Sequence, residues 1–201
     1  MLTWVQKIGK EATERDQNRS LLDALTEGNR QFLSAGSSLG DVSPARRIDT
    51  ARNGQHPAAI VIACSDSRVM PESIFSAGLG ELFVIRVAGN VLDDHQLGSI
   101  EYAAGHLHSR LILVLGHTGC GAVGAALSGG GDGFIQYITD EILLAVGDER
   151  DPVRACEKNV EHAVEILKRE FREHPEIPTE ALEIRGAVYD IENGAVRWLE
   201  D

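Results

Sequence analysis

Three short stretches of the chain carry almost no polar residue: AAIVIA (Ala58 to Ala63), LFVIRV (Leu82 to Val87) and LILVLG (Leu111 to Gly116). Unbroken apolar runs of this length suit strands covered on both faces, as in a parallel sheet. The stretches between them are long enough for crossovers, and Leu97, Ile100, Ala104 and Leu107 recur at helical spacing between the second run and the third. The alternation predicts an α/β domain built on a mostly parallel central sheet with right-handed connections.

Upstream, Ser20 is placed to cap a helix with apolar positions Leu21, Leu22, Leu25, Phe32 and Leu33, after a more weakly patterned, charged opening helix. This N-terminal arm, residues 1–35, reads as something that packs on a neighbour rather than as core. Asp41 to Pro57 is polar, with Pro and Gly, and reads as a loop. Downstream come a short helix from Gly119, the flexible SGGGDG, and the helical pattern FIQYITDEILLAV. Asp151 followed by Pro152 signals a further helix start, and Val153, Cys156, Val160, Val164, Leu167 and Phe171 keep one apolar face beyond it. LEIRGAVYD, the turn ENG and AVRWL close the chain as a strand pair at the sheet edge. With no internal repeat and no second composition regime, residues 1–201 read as a single domain.

Composition narrows the partners more than the fold. At 43% hydrophobic and 25% charged residues, the chain has the make-up of an ordinary soluble globular protein. The formal charge of -12, with no run of Lys and Arg, argues against nucleic acid and anionic lipid as partners. MLTWVQKIGKEATERD lacks the apolar centre of a signal peptide and no segment approaches a membrane span, so the expected address is cytoplasmic. Three cysteines cannot all pair with one another, which leaves metal binding, catalysis or burial as their uses.

Two polar clusters follow the apolar runs directly, where ligands of open parallel sheets bind: CSDSR (Cys64 to Arg68) and HTGC (His117 to Cys120). If the two strands are neighbours, Cys64, His117 and Cys120 converge. Two thiolates and an imidazole suit tetrahedral zinc with a fourth position open, the mark of a catalytic site. Asp66 and Arg68 alternate with Cys64, so on extended backbone all three could face one side, with Arg68 holding Asp66 off the metal in a bidentate pair.

Other readings of the same residues explain less. A lone Cys after a strand is more often a buried small hydrophobe, which is the preferred account of Cys156. An Asp-x-Arg pair by itself is usually a surface ion pair of little consequence. GCGAVG (Gly119 to Gly124) matches the GxGxxG of a dinucleotide turn, but it follows the third strand rather than the first. The expected ribose-binding acid would be Asp140 or Glu141, both inside a helical pattern. A cysteine hydrolase with Cys64 as nucleophile and His117 as base leaves Cys120, Asp66 and Arg68 without roles. The metal reading uses all five.

ACSDSR followed by GHTGCGA resembles the β-class carbonic anhydrases, and the likeness runs from about Gln55 to the C-terminal GAVYD and VRWL. The resemblance implies four parallel strands plus an edge strand flanked by helices, one zinc ion per subunit held by Cys64, His117 and Cys120, and a catalytic dyad of Asp66 and Arg68. It implies reversible hydration of carbon dioxide to bicarbonate and a proton, the zinc lowering the pKa of its water so that hydroxide attacks while the dyad orients it. Hydrolysis of carbonyl sulfide or carbon disulfide by the same zinc set is the alternative. Gln55 matches a side chain that binds substrate across a dimer interface, and Phe83 and Tyr102 match apolar lining of the substrate pocket. Val61 stands where bicarbonate-regulated members have Trp, so that inhibitory site is not expected. Assembly as a homodimer or dimer of dimers, through N-terminal helices and sheet edges, is implied too. His95, His106 and His108 are proton-shuttle candidates by residue type alone.

Overall fold

The computed structural model describes residues 14–35, 40–172, 174, 177 and 182–200. Helices α1 (Glu14–Ala35) and α2 (Pro44–Asn53) precede strand β1 (Ala59–Ala63). The short helix α3 (Pro71–Ile74), strand β2 (Leu82–Arg86), a 3-10 turn (Ala88–Asn90), helix α4 (Asp94–Gly105) and strand β3 (Leu111–His117) follow. Helices α5 (Gly121–Leu127), α6 (Ile135–Val146) and α7 (Pro152–Glu170) then lead to strands β4 (Glu183–Tyr189) and β5 (Val196–Trp198).

The strands form one sheet in the order β2-β1-β3-β4-β5, with β5 antiparallel at the edge and the other pairings parallel. Period-two alternation sorts the core into two layers. Ala59, Val61, Ala63, Leu111, Leu113 and Leu115 face a cluster with Leu21 and Leu25 of α1 and Ile74 of α3. Ile60, Ile62, Ile112 and Val114 face the opposite cluster, with Ile100 of α4 and Val160, Ala163 and Leu167 of α7. Burial on both faces is why β1 and β3 read as continuous apolar runs.

The amino-terminal expectations change most. Ser20 lies inside α1 rather than at its cap, and residues 1–13 of the expected arm lie outside the described residues. From Leu21 onward the arm is tied to its own chain: Leu25 is fully buried, and Asn29 donates to the carbonyls of Ile74 and Gly194 at 3.3 and 3.0 Å. Its Oδ1 in turn accepts the Val196 N–H at 3.1 Å. The stretch expected as a loop contains α2, capped by Ser43, whose hydroxyl accepts the Arg46 N–H at 3.2 Å, with Pro44 opening the first turn. No residue of α2 is buried, so it carries no apolar stripe from which periodicity could have found it.

Gly28 is where α1 meets α3. A Cβ there would stand 2.0 Å from the Phe75 carbonyl oxygen, and backbone cannot swing aside. Gly28→Ala should cost about 1–3 kcal/mol of stability through overpacking. The control is Gly98→Ala in α4, where an added Cβ meets nothing within 4 Å and helix propensity predicts a gain of about 0.5–1 kcal/mol. Urea unfolding of the two variants should move in opposite directions, and a Gly28→Ala midpoint equal to that of the unaltered protein would remove the close contact from the account.

Candidate metal centre

Parallel pairing sets β1 beside β3 with Ala63 level with Leu115, so Cys64, the first residue past β1, comes beside Gly116 and His117, the last residues of β3, which still pair with β4. From there β1 continues to α3 on the α1 face, while β3 continues towards α7 on the opposite face. The divergence opens a crevice at the carboxyl ends of the two strands. Gly119, at φ +65°, turns the chain so that Cys120 becomes the N-cap of α5.

The donor atoms of Cys64, His117 and Cys120 all lie within 4.8 Å of one another. Each residue is buried, His117 to 1% exposure. The imidazole orientation follows from one contact: Nδ1 lies 3.0 Å from the Thr118 carbonyl, which only accepts, so Nδ1 carries the proton. That leaves the Nε2 lone pair for the cluster, and Nε2 is buried without a hydrogen-bond partner. A buried polar atom left this way is costly unless something else engages it. The chemistry of two sulfurs and one such nitrogen suits zinc with a position to spare.

Electrostatics within the cluster are uneven in the metal-free protein. The Cys64 thiol is acidified by a hydrogen bond from Cys120, against burial, and further by His117 and by the N–H groups of Asp66 and Gly89, at 3.4 and 3.3 Å from its sulfur. Cys120 is pushed up by that same hydrogen bond and by burial, in spite of the Val123 and Ala122 amides of α5. Burial works to lower His117, but the adjacent Cys64 thiolate outweighs it and the imidazole is raised.

Asp66 and Arg68 form the bidentate pair. Arg68 Nε donates to Oδ1 at 2.9 Å and Nη2 to Oδ2 at 2.6 Å, while the Arg68 backbone N–H adds a third bond to Oδ1 at 3.0 Å. These bonds hold the Asp66 carboxyl well below the usual carboxylate range, in spite of some desolvation. Its charge therefore persists through mildly acidic pH and is lost only as pH falls past that lowered value. The segment is not extended: Val69 N–H bonds the Asp66 carbonyl at 3.0 Å, making a turn, so the pair arises from turn geometry rather than from alternation.

Two contributors were not singled out from sequence. Arg86, the last residue of β2, donates to the carbonyls of Cys64 at 3.1 Å and Asp66 at 2.7 Å, clamping the loop between them. Asn159, buried on α7, donates to the Gly89 carbonyl at 2.7 Å. A signal existed for each: Arg86 and the Gly-Asn after it fall at a strand's carboxyl end, and Asn159 is a polar residue among apolar neighbours at helical spacing. Cys156 is buried as expected, with Cys64, Cys120, Val123, Ile142 and Val146 around it.

The pocket-lining candidates are elsewhere in this chain. Gln55 is exposed and precedes β1, at the opposite end of that strand from Cys64. Phe83 pairs in register with Ile60, also towards the strand's amino end, and its ring lies 6.3 Å from that of Tyr102 on α4. The structure brings these two aromatics together but not to the cysteines of the same chain.

An open α/β sheet with a Cys-His-Cys cluster at its switch point defines a candidate metal protein of the doubly wound class. A sequence model of the carbonic anhydrase family matches residues 59–196, which takes in both polar clusters. The carbonic anhydrase 2 of Mycobacterium tuberculosis is 38% identical over 182 residues, spanning 85% of this chain and 87% of its own. The carbonic anhydrase of Pseudomonas aeruginosa is 34% identical, over 90% of this chain and 87% of its own. Among solved structures, a β-carbonic anhydrase of Aspergillus fumigatus superposes with TM-score 0.67 at 28% identity, covering 78% of this chain and 81% of its own. A tetrameric β-carbonic anhydrase of Sordaria macrospora superposes with TM-score 0.66 at 26% identity, covering 93% and 95%. The chain belongs to the β-class carbonic anhydrases, a family of enzymes. Among the described residues no helix is long and apolar enough to cross a membrane.

Proposed function

We propose that this protein catalyses the reversible hydration of carbon dioxide to bicarbonate and a proton, with Cys64, His117 and Cys120 holding one zinc ion and Asp66 and Arg68 forming the dyad beside it. The observation that carries the reading is the convergence of three buried donors, one a histidine nitrogen with no other partner, next to a paired carboxylate. Two thiolates and a neutral imidazole balance the charge of a divalent ion. When bound there, zinc supplies a Lewis acid that makes hydroxide available near neutral pH for attack on carbon dioxide.

The protein's own groups do the rest. Arg68 spends its Nε–Nη2 edge on Asp66, so the carboxylate stays ionised and fixed in orientation, able to accept a hydrogen bond from the attacking water. Arg86 fixes the backbone on either side of Ser65, which sets the spacing between Cys64 and Asp66. Val123, Ile142 and Val146 wall the cluster with apolar surface, lowering the local dielectric in which these charges act.

The protein acts as a homo-oligomer in this reading. The Sordaria macrospora relative is tetrameric, and Gln55, Phe83 and Tyr102 could reach a cysteine cluster only as contributions to another copy's site. Three free, buried cysteines suit a reducing compartment, which supports a cytoplasmic address. Stopped-flow hydration of carbon dioxide by protein of measured zinc content tests the function. Turnover should scale with zinc occupancy, and a fully loaded protein with no activity above buffer would overturn the assignment.

A further inference from the structure

One face of α7 packs beside all three metal donors. Cys156 packs with Cys64 and Cys120 in one buried cluster. Val160 packs so closely on Gly116, the residue before His117, that a Cβ there would stand 2.4 Å from Val160 Cγ2. Between them Asn159, 4% exposed, donates its amide to the Gly89 carbonyl at 2.7 Å, and Gly89 N–H points at the Cys64 sulfur at 3.3 Å. Of the three contacts only Asn159 acts through a polar chain that ends on a donor atom.

Gly89 has little freedom to find this arrangement unaided. It sits at φ +69° in the 3-10 turn, and a Cβ there would meet Ile142 Cδ1 at 2.8 Å and Ala122 Cβ at 3.1 Å. The adjoining Asn90 is also at positive φ, +46°, a conformation that non-glycine residues adopt at a cost. A turn held in two such conformations needs outside contacts to over-determine it. A buried amide bonded to its carbonyl supplies one, and it is rigid because α7 is anchored in the core along its length.

We propose that Asn159 is a positioning residue for the metal centre: by holding the Gly89 carbonyl it aims the Gly89 N–H at the Cys64 sulfur and so sets how much charge that sulfur donates to the metal. The proposal rests on the reading that Cys64, His117 and Cys120 hold the ion. An N–H bond to a ligating sulfur orients it and stabilises its charge, and losing an outer partner of this kind typically costs about 10–100-fold in metal affinity.

Asn159→Leu keeps the number and branching of side-chain heavy atoms and removes the donor, and Asn159→Ala removes it in a form any helix accommodates. Each is prepared with cobalt(II) in place of zinc, and zinc affinity is measured by competition with a chelator of known strength. Leu167→Ala is the comparison: that side chain is fully buried on the same helix, in the cluster with Ile60 and Ile112 and not in the one around the cysteines. Both Asn159 variants should shift the sulfur-to-cobalt charge-transfer band and weaken zinc binding about 10-fold or more. Leu167→Ala should lower the melting temperature while leaving band and affinity in place. Should the Asn159 variants melt early yet keep the unaltered band and affinity, Asn159 is a structural residue only and the proposal fails. If the unaltered protein binds neither zinc nor cobalt stoichiometrically, the metal reading falls and the proposal with it.

Discussion

Cys64→Ser should leave a folded protein that binds no stoichiometric zinc and hydrates carbon dioxide no faster than buffer. The hydroxyl that replaces the thiol has too high a pKa to ionise as a ligand, and the remaining pair, His117 and Cys120, cannot hold the ion alone. The effect should be all-or-none because the structure offers no substitute among the described residues: the cluster contains three donors and no fourth. Cys156→Ser is the informative partner, since Cys156 is equally buried and packs beside the cluster but lies on α7 and is not one of its three donors. It should retain zinc. Stoichiometric metal in Cys64→Ser, measured by elemental analysis, would dismantle the ligand set.

Loading the unaltered protein has a proton signature of its own. Near neutral pH the empty cluster carries a Cys64 thiolate, a protonated Cys120 and a His117 whose proton affinity is raised. A metal needs all three donors deprotonated, so binding releases protons, that of Cys120 among them, and affinity weakens as pH falls. Calorimetry in buffers of different ionisation enthalpy reads that count directly.

The second large effect is that of Asp66→Asn, which should keep the metal and lose activity by about 10²-fold or more, the range of a positioned proton-accepting group. The amide retains the shape of the carboxylate but has neither its charge nor two equivalent acceptor oxygens. Arg68 then loses the charged partner that its Nε and Nη2 engage. The loss should fall on kcat. An Asp66→Asn enzyme with full zinc and unaltered kcat would place the nucleophile's orientation with some other group.

Much of this molecule can be read from its sequence, and what escapes has a physical reason. AAIVIA and LILVLG announce β1 and β3 because burial on both faces removes polar residues, LFVIRV announces β2 although that edge strand is only part-buried, and Asp151-Pro152 announces α7 because the cap side chain bonds the first turn, at 2.8 Å to the Arg154 N–H. Helix α2 escapes because none of its residues is buried and the two that pack inward, Arg46 and Thr50, are polar, so only its Ser43-Pro44 start remains as a signal. Ser20 misleads because its side chain suits a cap locally while α1 runs through it. In the site, residue types and strand ends suffice to name Cys64, His117 and Cys120. The parts supplied by Arg86 and Asn159 depend on β2 and α7 lying beside the same crevice, a tertiary fact that no local pattern encodes.

The strand order has one more consequence. β1 is hydrogen-bonded to β2 and β3, and β3 to β1 and β4, so the donors continue directly from the two strands that are flanked on both sides by parallel neighbours within the apolar core. Interior strands of this kind belong to the last cooperative unit of a protein to open, long after surface helices and loops have frayed. On the zinc reading, two of the three donors, Cys64 and His117, would therefore be held in place by the sheet itself until the protein unfolds as a whole.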